Sequence, residues 1–109
     1  MDIEKKRQVE KNAITQVIKE YSDRGFNVIS VESENLGWDL EATYKKIKLK
    51  IEVKGLSGSK ISVEITPNEF KHMNYFKDSY RLCVVIECLS NPITHVLSYS
   101  IEKEDWGTY

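Results

Sequence analysis

Apolar and polar positions along this chain repeat with two different periods, and each change of period marks an element. From residue 2 to about residue 24 the apolar residues Ala13, Ile14, Val17, Ile18 and Tyr21 recur every three or four positions, as in an amphipathic helix with one buried stripe. Gly25 follows as its stop. Period two then takes over. Residues 26–31 predict a short strand, 32–36 a polar connection, and 37–55 two strands folded back on each other. In the second of these, Ile47, Leu49, Ile51 and Val53 point one way and Lys48, Lys50, Glu52 and Lys54 the other. In the first, Trp38, Leu40, Ala42 and Tyr44 alternate with Asp39, Glu41 and Thr43.

Residues 55–59 (Gly-Leu-Ser-Gly-Ser) form a flexible loop without phosphate-loop spacing. Residues 61–65 alternate again and predict another strand, with Ile61, Val63 and Ile65 on one side. Thr66-Pro67-Asn68-Glu69 starts a helix: Thr66 caps, proline suits the first turn and Glu69 completes a capping box. This helix runs to about Lys77, with Phe70, Met73 and Phe76 facing inward as core. Residues 80–88 are the most continuously apolar stretch and predict a central strand. Asn91-Pro92 is a turn, 94–99 a last strand, and 102–109 a polar tail containing Trp106. The order predicts one α/β (α+β) domain over residues 1–109. Its mixed central sheet has five to six strands, an N-terminal helix, and a second helix after the third or fourth strand.

The length of 109 residues suits one core, and no apolar run approaches membrane-spanning length. Residues 1–5 lack a signal-peptide core. Cys83 and Cys88 fall on one predicted strand at an odd separation, hence on opposite faces, and read as reduced thiols. The expectation is a cytoplasmic protein with no membrane association.

The net charge of −1 argues against a generally basic, nucleic-acid-coating protein. Its distribution is uneven. Residues 45–60 hold six lysines against the single acid Glu52, while Glu87, Glu102, Glu104 and Asp105 outweigh Lys103 after residue 82. A lysine face can hold a polyanion; exposed lysines also blunt a solvated edge strand against aggregation, and charge alone favours that plainer reading.

If the hairpin turns at Lys45-Lys46, Glu41 lies opposite Lys50 and Asp39 opposite Glu52. The first pair is favourable. The second is not, because like charges directly across a strand pair repel. Lys54, two residues on and on the same face, partly neutralises it; a divalent cation does so better, since hard cations take carboxylate oxygens. The hairpin thus has the make-up of half a metal site. Glu10 lies three and four residues before Ala13 and Ile14, so it either projects from the buried stripe and needs a partner, or sits at the stripe's edge and pairs with Lys6.

Asp39, then Glu52-Val53-Lys54 on the next strand, after a helix bearing Glu10, resembles the PD-(D/E)XK nuclease superfamily. The fuller set is Gly37-Trp38-Asp39-Leu40-Glu41, Ile51-Glu52-Val53-Lys54-Gly55, residues 65–70 and residues 80–85. It resembles the NO VEIN C-terminal type of domain, a type that often accompanies helicase or restriction-like proteins. The likeness runs from about Val9 to Pro92. Trp38 stands where the superfamily name has proline, and no specificity segment is recognisable.

The resemblance implies a restriction-endonuclease-like core and a Mg²⁺- (or Mn²⁺-) dependent endonuclease that hydrolyses phosphodiester bonds, DNA more than RNA. It makes Asp39 and Glu52 the metal ligands, with the Val53 carbonyl a third. Lys54 orients or helps deprotonate the attacking water, and Glu10 completes the carboxylate set. Lys48, Lys50, Lys60 and Asn68 become nucleic-acid contacts, with Lys50 also claimed by Glu41; for Glu69 the capping role is preferred. A homodimer or a larger defence or repair complex is the expected assembly. The alternative is a nuclease-fold module with little or no turnover that binds nucleic acid or a protein. A third reading is a plain interaction domain whose lysine strand is only an edge. His72 and His95 lack companion ligands and read as structural or surface residues, Trp38 and Trp106 as packing. Ser57 and Ser59 have no nucleophile context.

Overall fold

The computed structural model of the chain describes residues 2–109. Helix α1 spans Ile3–Asp23, and the Asp2 carboxylate caps it by accepting the Lys5 amide at 2.9 Å. Val9, Ala13, Val17 and Tyr21, one every four residues, are its buried positions. Ile14 and Ile18 lie on the flank and are partly buried. The stripe therefore begins one turn earlier than the sequence pattern had placed it.

Six strands follow: β1 (Asn27–Ser30), β2 (Leu40–Tyr44), β3 (Ile47–Gly55), β4 (Tyr80–Ile86), β5 (Ile93–Ser100) and β6 (Asp105–Gly107), with α2 (Pro67–Tyr75) between β3 and β4. Their order across the sheet is their order in the chain. Every neighbouring pair is antiparallel except β3 and β4. A parallel pair cannot be closed by a tight turn, so the chain crosses over between them and carries α2 on the way. Alternate residues of β4 enter two separate cores. Cys83 and Val85 pack with α1, Leu40, Ala42, Leu49 and Ile51; Tyr80, Leu82, Val84 and Ile86 pack with Met73 of α2. The architecture is a mixed α+β sheet with one helix on each face, and the second helix comes after the third strand.

Four details differ from the sequence expectations. Residues 61–65 pair with no strand. β4 takes one edge of β3 as far as Gly55, β2 and then Asp39 take the other, and Val63 and Ile65 lie against the α2-side core. The polar tail contains β6, where Trp106 pairs with Tyr99. Phe70 is 53% exposed, because the nine-residue α2 meets the core through Met73 and through Phe76 just past its end. Finally, β4 stops at Ile86 and Glu87 adopts a left-handed backbone at φ 55°. That turn breaks the alternation and returns Cys88 to the α1 side with Cys83, both thiols free and buried.

Among the described residues no helix is long and apolar enough to cross a membrane.

The tightest seam lies between α1 and the end of β3. A Cβ on Gly55 would stand 2.9 Å from the Ala13 Cβ and 3.1 Å from the Val9 carbonyl oxygen. Glycine at this position lets the helix press onto the strand directly beside Glu52 and Lys54. Gly55→Ala should therefore cost about 1–3 kcal/mol through overpacking, read as a lower denaturant midpoint; an unchanged midpoint would show that the seam gives way freely.

Candidate active site

Strand β3 is longer than its neighbour β2. The ladder between them ends at Leu40–Ile51, whereas β3 stays paired to β4 as far as Gly55. Past Ile51 the β2-side edge of β3 has no strand, and Asp39 fills that place. Its amide donates to the Ile51 carbonyl (2.9 Å), its carbonyl accepts the Val31 amide (2.8 Å), and its Oδ2 accepts the Val53 amide at 2.9 Å. An aspartate thus stands in for the next rung of the ladder, which fixes its carboxylate beside Glu52. The turn leading into it is held as well. Gly37 has φ 101° and a Cβ there would run into the His72 ring, while the buried Tyr80 hydroxyl donates to the Gly37 carbonyl at 3.1 Å.

Glu52, 9% exposed, is the one buried charged residue among the described residues. The predicted register is the observed one where the strands pair, and Glu41 faces Lys50. Asp39 lies one residue before that ladder, and its carboxylate is a close neighbour of Glu52. Lys54 is on the same face, but its Nζ is 2.7 Å from Glu69 Oε2 and 3.9 Å from Glu52 Oε2. Glu69 does two things. Its Oε1 accepts the Thr66 amide in the capping box, and its Oε2 is the stronger partner of Lys54. The sequence showed the first role and hid the second.

Three carboxylates and one ammonium therefore meet at this point. Burial, and next the neighbouring Glu69 and Asp39, push the Glu52 carboxyl well above the usual carboxylate range. Glu69 goes the other way, to about 2, held down first by its hydrogen bond with Glu52, and also by Lys54 and the Thr66 amide. Glu52, the most buried of the three, is therefore the carboxyl whose affinity for a proton is raised.

The cleft over this group has a volume of about 430 Å³ and includes Glu10, Glu32, Asp39, Glu52, Lys54 and Glu64 in its lining. Glu10 is exposed and forms no ion pair with Lys6. Neither sequence expectation for it holds; it reaches the cleft from the rim. Among the described residues no group of three His, Cys, Asp or Glu side chains is arranged to hold a metal ion. The Asp39–Glu52 pair nevertheless has the donor chemistry of Mg²⁺, which keeps several waters and takes one or two carboxylates. Val53 contributes its amide to Asp39.

The predicted nucleic-acid contacts are dispersed. Lys48, not Lys50, pairs with Glu41, at 3.5 Å across the diagonal. Lys50 Nζ instead lies over the rings of Phe76 (4.5 Å) and Trp38 (5.4 Å). Trp38 donates to Glu41 at 3.0 Å, which draws that carboxylate away from Lys50. Lys60 is exposed in the loop after β3, and Asn68 is exposed at the start of α2 with its carbonyl 2.8 Å from His72 Nδ1.

A pH test follows from the raised Glu52. Because the folded state binds this proton more tightly than the unfolded chain does, stability falls as pH rises above the ordinary glutamate range near 4.3. Glu52→Gln should therefore melt higher than wild type at pH 7–8 in chelator. The difference should shrink as pH falls and vanish below about pH 4. Glu69 supplies the opposite slope at lower pH. Its depressed carboxyl contributes stability above about pH 4 that is lost as pH falls toward 2.

A search of the curated proteins gives no match to the chain. Residues 9–98 match the family model described as "Protein NO VEIN, C-terminal", a span that holds Glu10, Asp39, Glu52, Lys54 and Glu69. This match points to a nuclease-like domain: the chain belongs to the NO VEIN C-terminal family.

Proposed function

We propose that this domain is a Mg²⁺- or Mn²⁺-dependent nuclease that hydrolyses phosphodiester bonds in DNA. The observation that carries the reading is the buried Glu52, crowded by Asp39 and Glu69 beside Lys54 at the uncovered end of β3. Leaving three carboxylates together in a poorly solvated place is costly unless cationic charge joins them. Asp39 and Glu52 would hold the ion, and the Val53 carbonyl and Glu10 would complete its surroundings directly or through water. Bound there, a divalent ion neutralises phosphoryl oxygens and lowers the pKa of water. Lys54 supplies the fixed positive charge; on leaving Glu69 it can orient the attacking water and offset charge on the phosphoryl group. Asp39, tied to the Val53 amide, resists displacement as substrate enters. Lys48, Lys60 and Asn68 serve as backbone contacts.

A second reading has a specific observation behind it. Lys54 is held by Glu69 at 2.7 Å, and the cleft includes five acids in its lining against that one lysine. A module that binds nucleic acid or a protein without turnover accommodates this arrangement equally well.

Two measurements test the leading reading. Millimolar Mg²⁺ or Mn²⁺ should raise the melting temperature of wild type, by about 2.7 kcal/mol of added stability at a hundredfold excess over Kd. Asp39→Asn should abolish that gain. Plasmid and single-stranded DNA should be cut in the presence of the metal and spared with chelator, with Asp39→Ala and Lys54→Ala slowed by about 100-fold or more. Cutting that survives both substitutions removes the catalytic assignment. Metal-induced stabilisation and salt-sensitive DNA binding without cutting select the second reading.

A further inference from the structure

A second cleft, of about 350 Å³, opens on the α1 side of the sheet and is lined by Tyr21, Arg24, Phe26, Arg81, Ser98 and Tyr109 among others. Arg24 is the C-cap of α1. Glu10 lies fourteen positions earlier on the same helix, so the two clefts are separated by roughly 20 Å along its axis at 1.5 Å per residue.

Two guanidiniums converge here without acidic partners. Among the described residues neither Arg24 nor Arg81 forms an ion pair. Arg24 is held by ring faces, 5.0 Å from the Tyr21 centroid and 5.4 Å from that of Phe26. Arg81 is anchored from behind through Nη1, which donates to the Tyr80 carbonyl (2.9 Å) and the Asp78 carbonyl (3.4 Å). Among the described residues its remaining N–H groups make no hydrogen bond. Both guanidiniums pull on the same two buried groups, the Tyr21 phenol and the Cys83 thiol, against the burial that raises them. Two acids on the last turns of α1 are otherwise engaged: Glu20 accepts from Gln16, and Asp23 from Lys19.

Paired guanidiniums with free N–H forks match the oxygens of a phosphoryl group. The exposed Tyr109 offers ring surface beside them, which suits the flat face of a base. The volume falls at the small end of ligand pockets. We infer that this cleft binds a nucleoside monophosphate unit, with Arg24 and Arg81 on its phosphate, either as free nucleotide or as the phosphorylated end of a strand. The inference does not depend on the carboxylate group at the other end of α1.

Calorimetry in chelator on the full chain tests it, with adenosine 5′-monophosphate, adenosine, and one single-stranded oligonucleotide carrying either a 5′-phosphate or a 5′-hydroxyl. The monophosphate should bind at least tenfold more tightly than adenosine. Arg24→Ala and Arg81→Ala should each weaken it about tenfold or more, while Asp39→Ala leaves it unchanged. If the 5′-phosphorylated strand also binds better than its hydroxyl counterpart, the ligand is a strand end; if only the mononucleotide does, it is free nucleotide. Equal binding of adenosine and its monophosphate overturns the inference. So does wild-type affinity in Arg24→Ala, a change at an exposed helix end that keeps the test intact even if Arg81→Ala fails to fold.

Discussion

A single carboxylate taken almost wholly out of water shapes this domain. Glu52 occupies a strand position that neighbouring rows would fill with Leu or Val, and three elements are arranged around its charge. The start of β2 brings Asp39, α2 brings Glu69, and two residues further along β3 stands Lys54. Burying a lone ionised group is prohibitive, so the group either keeps its proton or acquires positive charge. The Glu52 carboxyl is shifted toward the first course, and Lys54 is turned to Glu69.

How the chain produces this follows from one mismatch of length. Because β3 outruns β2, it exposes backbone donors along one edge, and an exposed edge must be satisfied or covered. Asp39 satisfies the first of these donors, the Val53 amide, with a side chain instead of a backbone carbonyl. The same substitution that closes the ladder delivers a carboxylate to the site. Structural need and chemical potential are met by one residue, and the Tyr80–Gly37 hydrogen bond holds the turn that makes it so.

The same mismatch explains what the sequence revealed. The β2–β3 register, with Glu41 opposite Lys50, required only the strand period and the turn position, both strictly local, and it was legible. Glu69 was not, because the capping box accounted for it fully. Yet a capping glutamate uses one oxygen, and the second was free to reach Lys54 across fifteen residues of chain. Lys50 was assigned to Glu41 by the same facing rule, which takes no account of Trp38 competing for that carboxylate or of two rings lying under the ammonium. Residues 61–65 alternate as a strand would, but alternation reports a two-sided environment and not a hydrogen-bonded partner. The three-residue β6 was too short to leave any pattern.

The position of Glu69 ties the carboxylate group to the crossover helix. One side chain closes the first turn of α2 and holds Lys54, so the two cannot be adjusted independently. Drawing Lys54 toward Glu52 removes the ammonium from Glu69 and leaves its carboxylate supported by Glu52 and the Thr66 amide. Cationic charge arriving between Asp39 and Glu52 weakens the hold of Glu52 on its proton. It also relieves the repulsion that makes Glu69 valuable to Lys54 as a separate partner. Charge at the β2–β3 edge and the seating of α2 are thereby linked through a single glutamate. That linkage gives α2, whose one buried residue is Met73, a second tie to the sheet through Glu69 and Lys54.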